Sequence, residues 1–197
     1  MIIIRDNEKL SLINTVRLND QGLSALDSLG KIENIIRIGA FHGRDDAFYL
    51  DRYNAKLWAV AGMQHQDNRL ADFLLVPNGE MPFTDCSFFI FETSEHPEGI
   101  VHIAKEGGIL ATCDSIKNWV SADQYFSADS AKLYKEQGFF GIATISNVWK
   151  ETCKVQPSDF IRLKSFKFRH LLSAHGEPLL NNAYEAVTET IQTEYDL

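Results

Sequence analysis

The chain has 197 residues, enough for one medium domain that buries its own core without disulfides or a structural metal. Its composition, 45% hydrophobic and 23% charged, is that of an ordinary soluble globular protein and gives no sign of a disordered tract. A net charge of -8 argues against a nucleic-acid partner, because phosphate-backbone binding needs clustered Lys and Arg to replace counterions.

In chain order, the apolar start Met1-Ile2-Ile3-Ile4 meets Arg5 and Asp6 at once. That run is too short for a signal-peptide core or a membrane span, so it reads as a first β-strand, and no membrane association is expected. Leu10 to Ile13 reads as a second strand, with Asn7-Glu8 as the turn between them. Asn19 or Asp20 caps a helix through Leu23 to Asp27 that Gly30 ends. Ile32 to Ile38 is the next strand, followed by the loop Ala40-Phe41-His42-Gly43-Arg44-Asp45-Asp46-Ala47 and a helix near Asp46 to Tyr53.

Lys56 to Val60 and Leu74 to Val76 read as short strands, separated by a polar connection from Ala61 to Asn68. Phe88 to Phe91 is a fully apolar strand. Gly99 to Ala104 and Ile109 to Thr112 form a hairpin about Glu106-Gly107-Gly108. From Asp114 to Ser158 the pattern is mostly helix and irregular connection, with Asp114 a candidate cap for a helix over Ser115 to Trp119. The basic stretch Arg162 to His170 alternates charged and apolar residues, as a helix end running into a strand does. A final strand over Phe168 to Ser173 precedes a loop at His175. Asn181 or Asn182 then caps a helix in which Ala183, Val187, Ile191 and Tyr195 share one face. Two groups of strands with accompanying helices suggest a single α/β domain over 1–197, two sheets face to face with helices outside, in the layer order αββα.

Cys86, Cys113 and Cys153 are odd in number and contain no Cys-x-x-Cys pair, which points to a reducing compartment and a cytoplasmic location. No Gly-x-Ser-x-Gly elbow, phosphate-binding glycine loop or dinucleotide fingerprint is present, so serine hydrolases, kinases and dehydrogenases gain no support. Apolar edge strands suit a homodimer. His65, His102 and His170 read as surface or strand histidines.

Four loops, each following a strand, offer metal-ligating side chains: His42 with Asp45 and Asp46, His96 within Thr93 to Gly99, Asp114, and His175-Gly176. Imidazole with carboxylate suits zinc, iron or manganese. Each also has a plain reading, since His42 and His96 suit local turn hydrogen bonds and Asp114 a helix cap. The ordered set resembles the metallo-β-lactamase fold, whose members carry a His-x-His-x-Asp-His loop, a Thr-Pro-Gly-His-Thr-Pro-Gly loop, an aspartate after a later strand, and a final histidine beside glycine. Thr93, His96 and Gly99 match the second of these, and the resemblance extends from Ile2 to the C-terminus.

The resemblance implies a first metal position at His42, Arg44 and His96. It implies a second at Asp46, Ala47 and His175, with Asp114 as the bridging carboxylate. Arg44 and Ala47 are not ligands. Water can replace the Ala47 ligand, whereas Arg44 carries a permanent charge that repels a divalent ion, so it must point away or stand in for the metal.

Three states follow. One metal sits on Asp46, Asp114 and His175; or His42, His96 and Asp114 hold it; or no metal binds and Arg44 bridges Asp46 and Asp114. In the first two the chain is a mononuclear hydrolase of an ester, thioester, amide or phosphoester in a small-molecule substrate, with Asp45 or Asp46 orienting water or taking its proton. In the third it is a metal-free relative that binds a ligand or partner in the same cleft.

Overall fold

A computed structural model describes residues 1–196. Its first sheet has the order β1-β2-β3-β4-β5, formed by Ile2–Asp6, Lys9–Ile13, Lys31–Arg37, Lys56–Ala59 and Phe73–Leu74. β1 and β2 form the hairpin that Asn7 permits by adopting φ 56°. Each later strand of this sheet runs parallel to its neighbour. Helix α1 (Asp20–Leu29) is capped by the Asn19 side chain, which accepts from Gly22 N, and α2 (Asp46–Tyr53) follows the His42 loop.

The second sheet contains β6 (Cys86–Ile90), β7 (Gly99–Ile103), β8 (Ile109–Thr112) and β11 (His170–Ser173), in the order β11-β8-β7-β6. A separate antiparallel pair is made by β9 (Lys117–Trp119) and β10 (Gly141–Thr144). The remaining helices are α3 (Ala128–Glu136), α4 (Asn147–Cys153), α5 (Pro157–Leu163) and α6 (Ala183–Tyr195).

Alternation along the strands divides the core into three layers. Ile13, Ile36 and Trp58 from the first sheet meet Phe88, Val101 and Ala111 from the second. Their neighbours Leu12, Ile35 and Leu57 face outward, against Leu23 and Leu26 of α1 and Tyr49 and Leu50 of α2. On the far side, Phe89, Ile100 and Leu110 pack against Trp149, Phe160, Val187 and Ile191 of the later helices. The layer order is therefore αββα. Among the described residues no helix is long and apolar enough to cross a membrane.

The segment from Asp114 to Ser158 departs from the sequence expectation. Residues 117–119 are strand, not helix, because the Thr112 hydroxyl donates to Ile116 O at 2.7 Å and Ser115 N donates to the Glu98 carboxylate at 2.6 Å. Those bonds close a tight loop, and Trp119 then pairs with Gly141. The β5 strand is also shifted, lying over Phe73–Leu74, one step before the expected Leu74 to Val76.

Candidate metal centre

Three chain segments reach one place because of strand register. β11 runs parallel to β8 with Ser173 opposite Thr112, so His175 and Asp114, each two residues further on, come side by side at the carboxyl ends of their strands. The loop after β3 approaches from the other sheet. It is joined to the start of β7 by Gly99 N donating to Ile38 O at 2.8 Å and Ala40 N donating to Pro97 O at 3.0 Å. Gly39 lets it come close to the Asp114 loop: a Cβ there would lie 2.3 Å from Cys113 Sγ.

These contacts bring His42, Asp114 and His175 together. His175 Nε2 is 2.9 Å from Asp114 Oδ1, His42 Nε2 is 3.3 Å from Asp114 Oδ2, and the two Nε2 atoms are 3.2 Å apart. Two imidazole lone pairs at that distance repel unless a proton or a cation lies between them. Donor atoms of a tetrahedral zinc, each about 2.0–2.1 Å from the ion, are themselves roughly 3.3 Å apart. Both the donor types and their spacing therefore fit one divalent ion with an open fourth position. Burial alone would raise the Asp114 pKa, but the two histidines hydrogen-bonded to it hold it well below the usual carboxylate range. Trp119 stacks on the His175 ring at 5.6 Å between centroids, fixing its plane.

The other sequence candidates lie elsewhere. His96 contributes no donor to the group, and its ring packs on Phe41 with centroids 5.1 Å apart. Asp45 accepts from Arg17 N at 3.0 Å, and Asp46 accepts from the Thr15 hydroxyl at 2.6 Å. Both acids anchor the start of α2, and neither joins His42, Asp114 and His175, so the water-orienting role expected of them has no support in their contacts. Ala47 lines a cavity of about 10 Å³ with Gly43, Asp46 and His65. Arg44 does not bridge Asp46 and Asp114: its side chain is 86% exposed and, among the described residues, reaches only Asp45, at 3.5 Å. Hydration is the physical reason, since a guanidinium with an exit to water has no cause to enter a cleft.

Two residues without a role in the sequence reading shape the centre. Glu98, 1% exposed, accepts from Ser115 N and, at 2.8 Å, from Trp149 Nε1, so it ties the Asp114 loop to α4. Burial, and then the charge of Asp114, push its pKa up to about 7. Lys117 is buried with its Nζ 3.9 Å from Asp114, 3.3 Å from Ser146 Oγ and 4.4 Å above the Phe139 ring. Burial lowers its pKa, while Asp114 and Glu98 act against that shift. An acidic residue ending a loop before a buried strand is the signal for Glu98. Lys117 was hidden by the helix expected over its segment.

Beside Asp114 opens a cavity of about 220 Å³. Phe41, Phe139, Val148 and Trp149 form apolar walls, and Lys117 and Ser146 lie with Asp114 at its polar end.

No protein-family model matches the sequence, and no curated protein matches it. Solved structures do. The crystal structure of VMB-1 superposes with a TM-score of 0.62 at 12% identity, covering 98% of this chain and 84% of that one. DIM-1 metallo-β-lactamase gives 0.60 at 11% identity, covering 98% and 86%. The metallo-β-lactamase FIM-1 from Pseudomonas aeruginosa, in its mono-zinc form, gives 0.59 at 13% identity, covering 98% and 82%. Likeness at this identity concerns the backbone, and with the αββα layers it establishes that the chain has the metallo-β-lactamase fold.

Proposed function

We propose that the chain is a hydrolase using one divalent metal, with zinc the best fit, held by His42, Asp114 and His175. The observation that carries this reading is the convergence of two imidazole nitrogens and a carboxylate, from residues 42, 114 and 175, at the mouth of an apolar-walled cavity. When bound, the ion supplies positive charge that acidifies water and polarises a carbonyl or phosphoryl oxygen. The substrate class is a small molecule with an ester, thioester, amide or phosphoester bond.

The chain's own groups do the rest. Asp114 lies 2.9 Å from His175 Nε2 and 3.3 Å from His42 Nε2, so the three donor atoms are gathered before an ion arrives. Phe41, Phe139 and Trp149 flank the cavity, and apolar walls strengthen the charge interactions beside them by lowering the local dielectric. Lys117, held by Ser146 and the Phe139 ring, supplies a fixed positive charge at the polar end, where negative charge develops on the substrate. Among the described residues all three cysteines are free, which suits a reducing, cytoplasmic setting.

One observation favours a second reading. The spacing of His42, Asp114 and His175, 3.2 Å between the two Nε2 atoms and 2.9 Å from His175 to Asp114, suits a shared proton as well as a metal, as in a metal-free protein that binds a ligand in the same cavity. Metal analysis of the chain purified without chelator separates the two. The proposal expects about one equivalent of a transition metal, and hydrolysis of ester, thioester, amide and phosphoester test substrates that chelation abolishes and zinc restores. Less than about a tenth of an equivalent, with no thermal shift on adding zinc, manganese or iron, would sink it in favour of the ligand-binding reading.

A further inference from the structure

The cation facing Asp46 is Arg37, not Arg44. Arg37 is the last residue of β3 and is buried. Its guanidinium is fixed by three carbonyls, those of Ala40 and Gln64 at 2.6 Å each and of Gly39 at 3.3 Å. Asp46 is buried too, with one carboxylate oxygen on the Thr15 hydroxyl and the other, Oδ2, without a hydrogen-bond partner among the described residues. Gly43 separates the two charges: a Cβ built there would lie 2.6 Å from Arg37 Nε and 2.7 Å from Asp46 Oδ2. With φ at +100° and no side chain, Gly43 lets the guanidinium and the carboxylate flank the same backbone atom.

A buried carboxylate is helped by a nearby counter-charge, and the guanidinium across Gly43, though it makes no direct ion pair with Asp46, is one that cannot be titrated away or diffuse out. A divalent ion seeking Asp46 as a ligand would have to sit against that guanidinium in a low-dielectric interior, where like charges repel strongly. We propose that Arg37 is a positioning residue that takes Asp46 out of the metal-ligand set and so restricts the centre to a single ion on His42, Asp114 and His175. This rests on the metal-binding reading above for its ion count, but the placing of Arg37 and Asp46 on either side of Gly43 stands on geometry alone.

The test uses the full chain, stripped of metal and titrated with zinc and with cobalt(II). Stoichiometry is read by native mass spectrometry, affinity by chelator competition, and ligand geometry by the cobalt visible spectrum. Wild type is expected to take one ion and no second in excess. Asp46→Asn should keep that affinity within about threefold and leave the cobalt spectrum unchanged, whereas His42→Ala should lose more than about a hundredfold. Arg37→Met, which exposes the Asp46 charge, should admit a second ion, and the double variant Arg37→Met with Asp46→Asn should return to one.

A loss of affinity in Asp46→Asn comparable to that of His42→Ala would overturn the proposal, as would single-ion binding by a folded Arg37→Met. Thermal unfolding of the metal-free proteins keeps the coupling of the two charges testable if wild type binds no metal or Arg37→Met does not fold well enough to load. Asp46→Asn should then recover melting temperature lost in Arg37→Met, and additive losses would refute the coupling.

Discussion

Replacing Glu98 with glutamine removes a carboxylate that is 1% exposed and held between Ser115 N and Trp149 Nε1. The two donors favour its ionised form, but burial and the nearby Asp114 charge outweigh them and push the pKa from 4.5 up to about 7. The folded chain therefore holds a proton that the unfolded chain has released. Stability from this group is fully present below the unfolded pKa and is lost as pH rises through the folded one. A shift of that size is worth at most about 3 kcal/mol, at about 1.4 kcal/mol per unit. Asp114 shifts the opposite way and matters only in acid, while Asp46, raised by burial, shifts with Glu98. The difference between wild type and variant isolates the Glu98 part.

Glutamine keeps an oxygen for one donor but turns an amide N–H toward the other, a pH-independent cost of about 1–3 kcal/mol. In urea unfolding with chelator present, Glu98→Gln should be less stable than wild type near about pH 5, and that gap should close by up to about 3 kcal/mol near about pH 8. Parallel curves for the two proteins would mean that Glu98 holds no extra proton in the folded chain.

Arg44→Ala should leave metal affinity unchanged and stability within about 0.5 kcal/mol, because the side chain is in solvent; calorimetric zinc titration and thermal melts check both. Gly176→Ala should weaken zinc binding by about 10–100-fold in the same titration, since φ is +81° and the new Cβ would meet Asn118 O at 1.9 Å, moving the loop that aims His175. Asp159→Ala strips the buried acceptor from Glu92 N, Thr93 N and the Thr93 hydroxyl, so denaturant unfolding should show a loss of about 1–3 kcal/mol.

Much of the fold was legible because local chemistry agreed with tertiary structure. Asn19 before an apolar-periodic run, Gly30 after it, and the Ala183, Val187, Ile191 repeat each mark a helix boundary or face that packing did not override. The strand over 117–119 was not legible, because it is fixed by Ser115 N bonding to Glu98, 17 residues earlier in the chain, and no local pattern encodes that contact. At the centre, the spacing of motifs singled out His42, Asp114 and His175. It also singled out Asp46 and His96, which the structure turns to Thr15 and Phe41. The sequence offers Arg44 as the cation within the motif, yet the buried cation is Arg37, at the end of the preceding strand. Side-chain direction decides that choice, and residue type alone does not carry it.

Anomalous diffraction at the zinc edge, from crystals grown with zinc, would locate the ion and its ligands. A single strong peak is expected, bounded by His42 Nε2, His175 Nε2 and the Asp114 carboxylate, with Arg37 still on the carbonyls of Ala40 and Gln64. The absence of a peak there, or a peak that takes Asp46 or His96 as a ligand, would contradict the single-ion centre.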